Sequence, residues 1–208
     1  MGLCPRRKRP SSIPPWLKSP STLLELQTLA KGGTVDDISR FAWLVDNLDL
    51  KPLKFPLTSQ RGRVGYIPLI EDPLYTLCVF YLPEGARLPY HDHPRQHVAV
   101  RVLRGELQIE SCDVRSVDGG VSYTVTGKKS QIIGCSSPAT IVEPDNKNVH
   151  QIVAIKEAMF LDLVLPPYSP ERVIKYFKKS EERLEPVSER EIGLDMDYCD
   201  VGSLIQSG

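Results

Sequence analysis

Between Pro52 and Pro166 the chain breaks into short runs rich in Val, Ile, Leu, Tyr and Phe, punctuated by turn residues. The runs fall at 75–82, 98–103, 107–111, 121–126, 131–133, 140–142, 149–155 and 160–165. Arg104-Gly105-Glu106 and Asp118-Gly119-Gly120 supply turn signals between neighbours. Many short strands at close spacing predict an all-β sandwich or closed barrel.

Two helices are expected upstream. One starts at Thr22, where Thr22-x-x-Glu25 makes a capping box, and stops at Gly32-Gly33. The second starts near Thr34 and places Ile38, Phe41, Leu44, Val45 and Leu48 on one face. That stripe reads as packing surface, without chemistry. Residues 1–20, rich in Pro, Ser and basic side chains, read as a flexible arm. Residues 21–180 read as one domain, with a short helix expected over 170–178, and 181–208 as a polar tail.

With 208 residues, 41% hydrophobic, 25% charged and no formal net charge, the chain suits one globular domain. A global nucleic-acid binder should be strongly basic, so no nucleic-acid partner is expected. No apolar run approaches the roughly 20 residues of a membrane-spanning helix, and no signal peptide follows Met1. The five cysteines are scattered and form no C-x-x-C pair, which excludes a zinc ribbon or a thioredoxin-type site. Cys78 and Cys135 lie among apolar residues and read as small buried hydrophobes. A reducing, cytoplasmic setting is expected. The basic run Arg6-Arg7-Lys8-Arg9 reads as a solvated arm, with nuclear import as the alternative. Lipidation at Gly2 is disfavoured, because Arg6 stands where that motif wants Ser or Thr.

Chemistry concentrates in four histidines. His91 and His93 flank one aspartate, and alternate strand residues share a face, so both imidazoles can point at one place. His150 heads an otherwise apolar run and can supply the third ligand. Three neutral imidazoles make a common first-row metal site. Gly85, five residues, H-x-H and a later Gly105 resemble the first cupin motif, with His97 where many cupins carry a glutamate. The second motif is degenerate: Pro144, Asn148 and His150 remain.

His91-Asp92-His93-Pro94, Asn148-x-His150 and Asp162-x-x-x-Pro166-Pro167-Tyr168-Ser169, in that order, resemble the cysteamine dioxygenase and plant cysteine oxidase family. The resemblance implies a cupin double-stranded β-helix, with a mononuclear Fe(2+) held by His91, His93 and His150. It implies a thiol dioxygenase that adds dioxygen to a small aminothiol or to the N-terminal cysteine of a peptide or protein. The product would be a sulfinic acid, and an oxygen-sensing role would follow. A monomer is expected. The alternatives are a metal-binding cupin without catalysis and a cupin dioxygenase or isomerase acting on another small molecule. Zinc suits imidazoles too.

Asp162 sits inside an apolar run, where a carboxylate is costly unless paired or functional. The resemblance gives it a substrate-orienting role, and Tyr168 a phenol hydrogen bond near substrate or oxygen. His97 is expected outside the ligand set, in a supporting position, and Asp92 as structural. A hairpin with a three-residue loop at Ile155-Lys156-Glu157 would pair His150 with Asp162. A two-residue loop would turn the carboxylate away. Ile174 occupies the position where some relatives carry a cysteine crosslinked to the tyrosine matching Tyr176, so no thioether is expected.

Overall fold

The structure, a computed structural model, describes Glu25, Thr28 and residues 38–49, 63–194 and 196–198. The basic arm and most of the expected Thr22 helix lie outside these residues. The strands are β1 (Val64–Glu71), β2 (Thr76–Leu82), β3 (Arg87–His91), β4 (His97–Val117) and β5 (Ser122–Gly134). They continue with β6 (Thr140–Val142), β7 (Val149–Leu165), β8 (Tyr176–Ser180), β9 (Arg183–Val187) and β10 (Met196–Tyr198). Among the described residues, the helices with full bounds are α1 (Ile38–Asp46) and α2 (Glu189–Ile192). The sheet runs β10-β1-β2-β7-β3-β8-β9-β5-β4-β6, and a further pairing of β7 with β4 closes it on itself. This is the cupin barrel that the sequence predicts. No helix among the described residues is long and apolar enough to cross a membrane.

The stripe on α1 is packing surface, as expected. Phe41, Leu44 and Val45 are fully buried against Leu77, Val79, Leu161 and Leu163. Arg101 donates to the carbonyls of Val45 and Leu48, both at 3.0 Å, and so satisfies orphan acceptors at the helix end. The odd residues of β7 from Met159 to Leu165 therefore face α1, while the even residues Ile152, Ala154, Phe160 and Val164 fill the barrel.

Three expected breaks are bends in continuous strands. Arg104-Gly105-Glu106 is no turn: β4 runs through it. Nor do residues 155–157 form a hairpin loop, because β7 also runs unbroken, and its register against β4 shifts around Arg104 and Glu106. The 121–126 and 131–133 runs likewise merge into β5. Gly105 explains the shared corner of β4 and β7. At φ +80°, a Cβ there would lie 2.0 Å from the Glu157 carbonyl oxygen. Lys156 and Glu157 look like loop residues because they face solvent, paired with Glu106 and Arg104 respectively.

The C-terminal region also departs from expectation. No helix forms over 170–178, and much of the expected tail is structured. β8 and β9 make a hairpin whose Phe177 and Leu184 join a buried cluster with Tyr90 and Cys112. Ser188 caps α2 through a capping box with Glu191, and β10 pairs in parallel with β1. Few side chains turn inward here, which is why the segment reads as a polar tail. Cys78 is buried as expected, but Cys135 sits in an exposed turn after β5.

Candidate metal centre

His91 ends β3, and the antiparallel register sets it directly opposite His150 on β7. Directly paired residues share a face with Cβ atoms about 5 Å apart, so the backbone ladder itself brings these two imidazoles together. Their ring centroids lie 4.4 Å apart. His93 falls beyond the end of β3, so strand alternation does not place it. Asn148 does. Its Oδ1 accepts from the His93 amide at 2.7 Å, while its Nδ2 donates to the His93 and Glu143 carbonyls, both at 3.0 Å. The three buried side chains thus offer nitrogens within 4.8 Å of one another.

Hydrogen bonds select which nitrogen is offered. His91 Nδ1 lies 2.7 Å from the Pro89 carbonyl, and His150 Nδ1 lies 3.1 Å from that of Asn148. A carbonyl only accepts, so both Nδ1 atoms carry the proton and both Nε2 atoms are free to ligate. His93 Nδ1 meets the Tyr168 hydroxyl at 2.9 Å, which fits the same tautomer. Burial holds all three imidazoles neutral: it pushes His150 down to about 3 and His93 well below the usual range, with histidine neighbours adding to both. Neutral imidazoles are what a divalent metal needs, and they suit iron(II) as they suit zinc.

The imidazoles open onto a cavity of about 220 Å³ inside the barrel. Beyond the His91–His150 pair its wall is built from cross-strand pairs: Leu88 with Ile152, Phe80 with Phe160, and Cys78 with Asp162. A straight strand from His150 to Asp162 would span about 40 Å at ~3.3 Å per residue. Both line one cavity because β7 bends at its corner with β4. Asp162 therefore reaches the pocket without the expected hairpin. Burial alone pushes its carboxyl up to about 7.

Tyr168 is 39% exposed on its outer side, but its hydroxyl faces His93. Asp92 faces away from the imidazoles and accepts from the Lys175 amide at 2.8 Å, pinning the segment that carries Ile174 and Tyr176. His97 lies outside the ligand group, with Glu143 and Asp145 as its charged neighbours. The clasp by Asn148 was not foreseen, although Asn148-x-His150 was a visible motif. Tyr66, Glu189, Leu194, Met196 and Tyr198 also line the cavity. Of these, the four residues from 189 onward were hidden in the apparent tail.

A family model named PCO_ADO matches residues 44–197. The chain belongs to this family. Among its relatives, human 2-aminoethanethiol dioxygenase is 30% identical over 70% of this chain and 63% of its own length. Plant cysteine oxidase 2 from Arabidopsis thaliana is 27% identical, over 79% of this chain and 65% of its own length. The chain thus spans a little under two thirds of these relatives. Among solved structures, a cupin superfamily protein from Desulfitobacterium hafniense aligns at 15% identity and a TM-score of 0.41. That alignment covers 56% of this chain and 97% of that one.

Proposed function

We propose that this PCO_ADO protein is an iron(II)-dependent thiol dioxygenase acting on cysteamine or on the N-terminal cysteine of a peptide. The observation that carries the reading is the meeting, on one barrel cavity, of three neutral imidazoles and a buried carboxylate that has no side-chain partner among the described residues. The family membership supports it, as do relatives named for thiol oxidation. His91, His93 and His150 would hold the metal. Iron(II), when bound, supplies the chemistry that joins dioxygen to sulfur: R–SH and O₂ become R–SO₂H, with no other reductant.

The chain's own contributions follow from its residues. Neutral histidines add no negative charge at the metal, which favours binding of the substrate as thiolate. Asp162 receives the substrate amino group. A carboxyl held near 7 by burial ionises once an ammonium arrives beside it. Tyr168 accepts from His93 Nδ1–H, which orients the ring and leaves the phenol proton for a hydrogen bond into the pocket. Phe80, Phe160, Leu88 and Ile152 exclude water from the reacting sulfur. Sulfinic acids are not readily reduced again, which suits oxygen sensing by irreversible marking of a protein N-terminus.

The test is direct. Purified protein loaded with ferrous iron is incubated aerobically with cysteamine and with Cys-initiated peptides, and products are weighed. A gain of two oxygen atoms on the thiol is expected. Metal uptake without any oxidised thiol would leave a binding cupin instead. Intact protein mass should be unchanged by turnover, because Ile174 beside Tyr176 has no sulfur to crosslink.

A further inference from the structure

Two of the three imidazoles are aimed by main chain, and the third is not. His91 and His150 each turn Nδ1 to a backbone carbonyl, which can only accept. His93 Nδ1 meets the Tyr168 hydroxyl, which can accept or donate. With the proton on Nε2 instead, His93 would have no lone pair left for a metal on that side. What holds Tyr168 therefore matters to His93. The two residues before it, Pro166 and Pro167, have no N–H, so their main chain can be held only through its carbonyls. The β4–β7 ladder ends with His97 opposite Leu165, and its next step would set Gln96 opposite Pro166. The Gln96 amide is already used: it closes the turn through Pro94 and Arg95 by donating to the His93 carbonyl at 3.1 Å. Its side chain takes over, with Nε2 donating to the Pro166 carbonyl at 2.9 Å. Arg172 Nε donates in the same way to the Pro167 carbonyl at 3.0 Å.

We propose that Gln96 is a positioning residue for the metal centre, acting on His93 through Tyr168. The contacts close a ring. It runs from the His93 carbonyl to Gln96, from Gln96 to Pro166, and along the chain to Tyr168, whose hydroxyl returns to His93 Nδ1. One side chain thus ties the backbone of His93 to the segment that aims its ring. Gln96 is fully buried, and its Oε1 has no hydrogen-bond partner among the described residues. A buried amide oxygen in that state costs stability, and an apolar side chain would avoid the cost. The donor on Nε2 is what the glutamine adds. The competing account is that Gln96 only fastens the start of β4 to the end of β7. That account predicts a lower unfolding temperature in its variants and no change at His93.

The inference rests on the metal-holding role given to the histidines above, and its test separates the two. The chain has only four histidines, so isotope labelling of their ring nitrogens lets a long-range proton–nitrogen spectrum read each tautomer in metal-free protein. Wild type should carry the proton on Nδ1 in His91, His93 and His150. Gln96→Met removes the donor at similar length. It should leave His91 and His150 as they are and turn His93 into a mixture of tautomers. Iron(II) affinity, read by anaerobic competitive chelation, should weaken about threefold. Made in Tyr168→Phe, the same change should weaken it by less than about 1.5-fold, because the path to His93 is already cut. Gln96→Leu, which has no polar atom, should behave alike, and thermal unfolding confirms that each variant folds. An unchanged His93 tautomer in these variants, or equal iron losses in both backgrounds, would overturn the proposal. So would a wild-type His93 protonated on Nε2, a result that needs no variant to fold. If the tautomer follows Gln96 in a protein that takes up no iron, the positioning role stands and the iron-dependent reading fails.

Discussion

Asp162 and Glu110 are both carboxylates on barrel strands beside a cavity, and their surroundings drive them in opposite directions. Glu110 borders a groove with Tyr90, Cys112, Lys128 and Lys179. It accepts from Tyr90 Oη at 2.8 Å, Gln151 Nε2 at 2.8 Å and Gln108 Nε2 at 3.2 Å. The Tyr90 hydrogen bond above all holds its carboxyl below the usual range. Asp162, with burial unopposed, is pushed up to about 7. The groove spends its polar groups on one another, whereas the metal pocket gives its acid no side-chain partner among the described residues. An unpaired buried acid costs stability, and in the proposed function a substrate cation is the partner that would offset that cost.

The sharpest way to break this contrast is through the metal. His91→Ala, His93→Ala or His150→Ala should each abolish bound iron by elemental analysis, whereas Glu110→Gln and His97→Ala should keep most of it. Stoichiometric iron in His150→Ala would mean that the ligand set is wrong.

Next comes Asp162→Asn. Iron should stay, while kcat/KM for aminothiols should fall by about 100-fold or more, from loss of a buried charge-assisted contact of ~3 kcal/mol. The same substitution should change the pH dependence of stability in the metal-free protein. The carboxyl of Asp162 has its ordinary value of 3.8 when unfolded and about 7 when folded. Folded protein therefore binds more protons between those values, and this contribution to stability is lost as pH rises through about 7. The full span corresponds to an upper limit of ~4 kcal/mol. Denaturant melts from pH 4 to about 8 should show wild type losing ground to Asp162→Asn as pH rises. Parallel curves would remove the case for a desolvated acid.

Smaller effects follow. Tyr168→Phe removes the hydroxyl at His93 Nδ1, and iron affinity measured by competitive chelation should weaken about tenfold. Tyr90→Phe in the groove should cost ~1 kcal/mol of unfolding free energy and leave iron affinity alone. An iron defect in Tyr90→Phe would show that the two cavities are coupled.

The centre was legible in the sequence because its donors are rare residue types in tight motifs. The H-x-H pair and Asn148-x-His150 stand out from an apolar background, and the structure brings those imidazoles together. The α1 stripe was legible for the same reason: a helical period is strong when one face is fully buried. Strand boundaries were not. Gly105 and Lys156-Glu157 carry turn chemistry, yet they sit at a corner where two strands bend side by side. Local composition cannot separate a bend from a break, since both expose backbone and favour Gly or charge. The segment over 183–198 was hidden because β9 and α2 are largely exposed and only a few residues turn inward.

The unbroken run of β7 sets a rule for how this chain can change in length. His150 and Asp162 lie an even number of residues apart on one strand, on either side of the corner. One residue inserted at Lys156-Glu157 reverses the phase of everything downstream: Asp162 swings to the α1 side and Leu161 or Leu163 enters the pocket. Two inserted residues only enlarge the bend and return the carboxylate to its face. Relatives that lengthen or shorten this corner should therefore do so in pairs, or absorb a single residue as a bulge before Phe160.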